Sequence, residues 1–128
     1  MFSHVMLGAN DLDASKAFYD AVLGVLGHRT SFQDSKGRWV WVTPNGNFLL
    51  TRPIDGEPAT RGNGSTIGFA CDTAEKVHAW HAAGIAAGGE AIEQAPGLRN
   101  EGKPNAMVLA YLRDPSGNKL CALHFMGG

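Results

Sequence analysis

Two residues in this chain join reactive chemistry to places where strands are expected: His4 near the start and Cys121 near the end. An imidazole and a thiolate are donors for a soft divalent metal. The same pair could act as base and nucleophile if the fold joined them, since a thiol attacks only once its pKa is lowered. Alone, Cys121 reads as a small buried hydrophobe and His4 as a hydrogen-bonding or packing residue. His78 and His81 lie three apart on a helical pattern with no third donor nearby in sequence, which reads as a solvated helix face. His124 reads as packed beneath the last strand or exposed at its end, and Cys71 shares the parity of Phe69, so it reads as core. Trp39 and Trp41 share one side of a strand. They form an aromatic wall for a flat or apolar ligand if that side is concave, and ordinary core if it packs on a helix. Arg61, Arg99, Lys103 and Arg113 are candidates for meeting an anion at a pocket rim, against the commoner fate of a solvated or paired charge. Gly62-Asn63-Gly64 is no dinucleotide fingerprint, because the third glycine is missing and a strand follows. Neither a P-loop nor a Gly-x-Ser-x-Gly elbow is present.

The elements that must position these residues come in two copies. At a spacing of 62, Ser3-His4-Val5-Met6-Leu7-Gly8-Ala9-Asn10 lies over Ser65-Thr66-Ile67-Gly68-Phe69-Ala70-Cys71-Asp72. Ala17-Phe18, Ala21 and Gly27 match Ala79-Trp80, Ala83 and Gly89 at the same spacing. Further on, Gly46-Asn47 matches Gly117-Asn118 at a spacing of 71. Each copy opens on a period-two strand and continues into an amphipathic helix. Asp11 or Asp13 is expected to cap the first helix and Asp72 the second. Strands are expected at His28–Gln33, Arg38–Thr43 and Asn47–Arg52, then at Glu90–Glu93, Ala106–Leu112 and Lys119–Phe125. Arg52 to Gly64 reads as a linker, and Ala95 to Pro104 as a polar loop, free in solvent or covering a pocket. The expected fold is α+β: one domain over residues 1–128, with a βαβββ module at 1–53, a linker at 54–64 and a second module at 65–126. Curved mixed sheets are expected around a central cavity.

A duplicated unit that pairs about a pseudo-twofold axis brings equivalent positions together. The first strands offer His4, Met6 and Gly8 on one side and Thr66, Gly68 and Ala70 on the other. The last strands offer Leu50, or Leu49 if the register is one residue off, opposite Cys121. Four converging positions on rigid strands are a natural frame for a divalent ion, which needs three or four ligands.

Composition narrows the classes of function. Eleven basic and twelve acidic residues leave a formal charge of −1, which argues against a nucleic-acid binder. Charged residues are 18% of the chain, below the usual level of about 25%. Seventeen glycines are nearly twice the usual share of about 7%. Low charge with many turn-formers suits a sheet-rich domain around an apolar cavity. Two cysteines make no disulfide framework and fit a reducing cytoplasm. No membrane span is expected, as no run of about 18 apolar residues occurs, and the opening residues lack the pattern of an export signal.

The run from His4-Val5-Met6-Leu7 to Asp11-Leu12, then Ser15-Lys16-Ala17-Phe18-Tyr19 and Leu23-Gly24, resembles the opening of the vicinal oxygen chelate superfamily. That superfamily includes glyoxalase I, bleomycin-resistance proteins and extradiol dioxygenases. Ala110-Tyr111-Leu112-Arg113-Asp114-Pro115-Ser116-Gly117-Asn118-Lys119 is similar to its second signature. The resemblance implies a homodimer and a divalent metal (Zn, Ni, Fe or Mn) held at His4, Leu50 or Leu49, Thr66 and Cys121. Family enzymes tend to have histidine where Thr66 stands and glutamate where Cys121 stands, so His4 and Cys121 alone remain as donors. A small molecule is expected between the modules, lined by His4, Met6, Trp39, Trp41 and Leu50 from the first. Thr66, Tyr111 and Cys121 come from the second, with Arg99 at the rim. The expected function is small-molecule binding of the bleomycin-resistance kind, divergent or non-catalytic. The alternatives are a metal-dependent lyase of the lactoylglutathione lyase type and a thiol-dependent enzyme using Cys121.

Overall fold

The computed structural model describes residues 1–28 and 31–127. The first module runs β1 (His4–Gly8), α1 (Leu12–Val25), β2 (Ser31–Gln33), β3 (Trp39–Thr43) and β4 (Gly46–Thr51). The second runs β5 (Ile67–Ala70), α2 (Ala74–Ala86), β6 (Glu90–Ala91), β7 (Gly97–Arg99), β8 (Met107–Arg113) and β9 (Lys119–Phe125). Part of the strand expected at His28–Gln33 falls on residues 29 and 30, outside the described residues.

Each module forms its own mixed sheet, ordered β1-β4-β3-β2 in the first and β5-β9-β8-β6 in the second, with β7 paired to β8. β1 is parallel to β4 and β5 to β9, and the remaining pairs are antiparallel. The architecture is therefore α+β, and the described residues form two sheets and two helices.

α1 starts where Asp11 accepts the Ala14 N–H at 3.0 Å and ends before Gly27, which adopts φ +90°. Its buried stripe, with Phe18, Tyr19, Val22 and Leu23, faces the first sheet and α2. α2 is capped by the Thr73 hydroxyl, which accepts the Lys76 N–H. This corrects the expected cap, Asp72, whose carboxylate instead pairs with Lys76 at 3.1 Å. The reason is local: the side chain that can reach the N–H three residues ahead belongs to the residue just before the first turn.

One core serves both modules. An aromatic series runs through it, with ring centroids 4.5 Å apart for Tyr19 and Phe48, 5.8 Å for Phe48 and Phe69, and 6.3 Å for Phe69 and Trp80. Phe48 belongs to the first module and Phe69 to the second, so the modules share their packing. A second bridge is polar. Asp114 accepts the Tyr19 phenol at 2.6 Å and the Asn118 amide at 2.8 Å, and that amide also donates to the Gly8 carbonyl at 2.9 Å. The β8–β9 loop thus clasps the start of the first module.

Three expectations change. The loop expected from Ala95 to Pro104 contains β7, strapped to β8 through Gly97–Leu109 and Arg99–Met107 pairs. Gly8, expected among the converging positions with His4 and Met6, is covered by the linker, since a Cβ there would sit 3.0 Å from that of Ala59. The Gly46-Asn47 and Gly117-Asn118 match does not mark equivalent positions. Thr43 pairs directly with Gly46 across a two-residue turn, whereas Arg113 and Lys119 are joined by the five-residue loop Asp114 to Asn118.

Candidate functional site

In both sheets alternate side chains enter the core and the rest stand on the opposite face. Trp41 and Leu50 take the core side and are fully buried. The Trp41 indole donates to Asp20 at 3.1 Å, and Trp39 packs against the same core with the Lys16 ammonium 4.6 Å from its ring centroid. Both tryptophans stand on the core side, so of the two readings offered by the sequence the structure supports core packing over an aromatic wall. Leu49 is the residue on the outer face, aligned with Met6 on one side and Val40 on the other. Spacing at 71 had set Leu50 opposite Cys121, and the unequal hairpins displace it by one residue, which reverses the face.

On the second sheet Gly68, Cys121 and Tyr111 form one outer row. The glycine leaves room for the thiol, because a Cβ at Gly68 would lie 3.2 Å from Cys121 Sγ. Burial pushes the Cys121 thiol upward from its ordinary range, with Glu93 adding to the shift and Lys119 opposing it. Cys71 is pushed up to about 11, chiefly by burial. Both cysteines are free, and neither environment favours a thiolate.

His4 stands exposed at the start of β1, with Nδ1 2.8 Å from the Ser3 hydroxyl. It lines a cavity of about 260 Å³ between the modules. Val5, Phe48, Leu23 and Leu26 give this cavity apolar walls from the first module, and Ile67 to Ala70 close it from the second. His28, Thr43, Asn45 and Asn47 join His4 as polar residues of its lining. His28, Leu23 and Leu26 were not expected here; their place follows from α1 ending against the gap between β1 and β5. A sequence signal for them would have been the Leu23-to-His28 segment that closes the first helix.

Thr66 lies just before β5 and faces a different, polar pocket of about 210 Å³ with Arg61, Arg113 and Lys119. Arg99 is turned back on its own loop, where Nη2 donates to the Ala95 carbonyl at 2.9 Å. His78 is exposed on α2, and the half-buried His81 is pushed downward by burial and by His78. His124 Nδ1 lies 2.9 Å from the Cys71 carbonyl oxygen.

The residues present do not fit a divalent metal of the family kind. Leu49 carries no donor, Thr66 offers a weakly ligating hydroxyl outside the strand, and Cys121 is held as a thiol. Among the described residues no group of three or more His, Cys, Asp and Glu converges as a metal site would.

The model of the Glyoxalase/Bleomycin resistance protein/Dioxygenase superfamily matches residues 1–122. The chain belongs to that superfamily. A crystal structure of a glyoxalase/bleomycin resistance protein from Albidiferax ferrireducens T118 is similar at 54% identity and a TM-score of 0.89, covering 97% of this chain and 98% of that one. A family enzyme from Burkholderia phytofirmans PsJN shares 22% identity with a TM-score of 0.75, covering 97% and 98% of the two chains. A lactoylglutathione lyase from Agrobacterium tumefaciens shares 23% identity with a TM-score of 0.67, covering 97% and 92%. These last two likenesses are of fold. No curated protein matches the sequence. Among the described residues no helix is long and apolar enough to cross a membrane.

Proposed function

We propose that this protein binds a small, mainly apolar molecule in the inter-module cavity, with His4 and His28 as its polar anchors. The observation that carries this reading is the cavity itself: both modules contribute walls, and the walls are mostly apolar. At about 260 Å³ it falls just below the range of roughly 300–1,000 Å³ for drug-sized ligands, which favours a compact ligand such as a single aromatic ring with one polar group. Binding needs no ion here, and the donor set gives a lyase reaction of the lactoylglutathione type no metal frame. The raised Cys121 thiol likewise speaks against thiol-dependent catalysis. A reducing, cytoplasmic setting fits the two free cysteines.

The outer sheet faces support a second copy as partner. Met6 and Phe32 stand exposed on the outer side of the first sheet with the half-buried Leu49, and Phe125 stands exposed on the outer side of the second with the half-buried Met107 and Leu109. Uncovered apolar sheet faces of this kind are normally interfaces, so a homodimer is the expected solution state, readable by light scattering.

The test of the ligand reading is a titration of isotope-labelled protein with indole and phenol, followed by amide chemical shifts. Shifts should cluster at Leu23, Ile67 and Phe69 and vanish in Ala70→Leu, which fills the cavity. Shifts scattered over the surface, or unaffected by Ala70→Leu, would sink the reading. So would a stoichiometric metal in protein purified without chelator that is lost in His4→Ala.

A further inference from the structure

We infer that the polar pocket at the start of β5 is a second ligand site, built for a tetrahedral oxyanion of the phosphate or phosphonate class. It shares no lining residue with the inter-module cavity. Its walls are Arg61, the segment Gly62 to Thr66, Arg113 and Lys119. Three cations from three separate stretches of chain therefore meet in a space of about 210 Å³.

Their placement is electrostatically costly unless something negative sits among them. Arg113 and Lys119 are direct cross-strand partners, and like charges in that relation destabilise a sheet. Arg61 adds a third charge: a Cβ built at Gly117, in the loop joining those two strands, would lie 3.4 Å from Arg61 Cβ. The neighbouring carboxylates offset only part of it. Glu93 pairs with Lys119, while Glu90, opposite Arg113 on β6, forms no ion pair with it among the described residues.

Two of the three cations, Arg113 and Lys119, are anchored, while Arg61 is exposed. Arg113 Nη1 donates to the Gly117 carbonyl at 2.8 Å, which fixes one arm of the fork and leaves other N–H groups to donate. The Lys119 ammonium lies 5.1 Å from the Tyr111 ring centroid while paired to Glu93. The fourth wall is a tight turn in which Ser65 N–H donates to the Gly62 carbonyl at 2.8 Å, with φ of +60° at Gly62 and +96° at Gly64. Ser65 and Thr66 are exposed there and bring two hydroxyl donors. Two anchored cations, the exposed Arg61 and two hydroxyls lining one small polar pocket offer more donors than a carboxylate would use and match the many acceptor oxygens of a tetrahedral dianion.

Isothermal titration calorimetry with inorganic phosphate, at constant ionic strength set by sodium chloride, tests this. The expected result is saturable 1:1 binding per chain, weakened by roughly tenfold or more in Arg61→Ala and in Lys119→Met. Arg61→Lys, which restores the charge, should bind within about threefold of the parent chain, while an unchanged thermal unfolding profile confirms that each variant folds. Binding that is absent, or equally strong in Arg61→Ala and Lys119→Met, would overturn the inference. Acetate binding as tightly as phosphate would overturn the choice of a tetrahedral dianion.

Discussion

Cys121 occupies a position where a ligand or a nucleophile would be useful, yet its surroundings keep it protonated. Burial removes water that would stabilise the thiolate, and Glu93 adds a like charge, while Lys119 only partly compensates. Alkylation by iodoacetamide should therefore be slower at neutral pH than that of free cysteine and should keep climbing beyond the ordinary thiol range. Cys121→Ser would show how much of the reaction belongs to this residue; modification as fast as free cysteine at pH 7 would contradict the assignment. At this scale the sequence was a partial guide. His4, Thr66 and Cys121 sat in recognisable motifs, and their departures from the family pattern were readable from residue type alone. Trp41 and Leu50 were not readable, because which face of a strand meets the core depends on register, and register depends on turns whose lengths differ between the modules. Leu23 and His28 were legible only as the segment that closes the first helix, since they reach the cavity through the end of that helix.

The helices and strands themselves were far more legible. Period-two and helical spacing located β1, α1, β3, β4, α2, β8 and β9, because the faces they bury are continuous in sequence. β7 escaped notice because three residues in a polar stretch have no period to detect; they form a strand only by pairing with β8. Glycine placement shows how tightly these elements meet. A Cβ at Gly84 in α2 would overlap Leu112 Cδ1 and crowd Val22 Cγ1 at 3.2 Å and Phe18 Cε2 at 3.3 Å. Gly24, in α1, has open space around the same position. Alanine improves helix propensity at both by up to about 1 kcal/mol, but overpacking a filled core costs about 1–3 kcal/mol. Gly24→Ala should therefore stabilise slightly in urea unfolding, while Gly84→Ala should destabilise by up to about 2 kcal/mol after the propensity gain is subtracted. Equal effects at both positions would show that α1, α2 and β8 are not packed as described.

Across the whole molecule, the two modules are joined by the clasp in which Tyr19 donates to Asp114 and Asn118 donates to Gly8. The motif carrying Asp114 and Asn118 helped to identify the family from sequence, but its role in holding one module to the other needed the fold, because its partners lie about a hundred residues away. Burial holds the Tyr19 phenol well above its ordinary value of 10.0, and the adjacent Asp114 carboxylate adds to the shift. Below pH 10 the phenol is protonated in both folded and unfolded chains, so its contribution to stability is complete. As pH rises past that value the unfolded phenol ionises while the folded one does not, and stability falls by up to about 1.4 kcal/mol per pH unit until the folded phenol also titrates. Tyr19→Phe removes this dependence. The variant should be less stable at pH 8 by about 1–3 kcal/mol, because Asp114 loses a buried donor, yet its stability should decline less steeply between pH 10 and 11. Urea unfolding at a series of pH values measures both effects at once. Parallel alkaline limbs for the two proteins would mean that the Tyr19 phenol is not held protonated in the folded chain, and that the clasp rests on the Asn118-to-Gly8 bond and apolar packing.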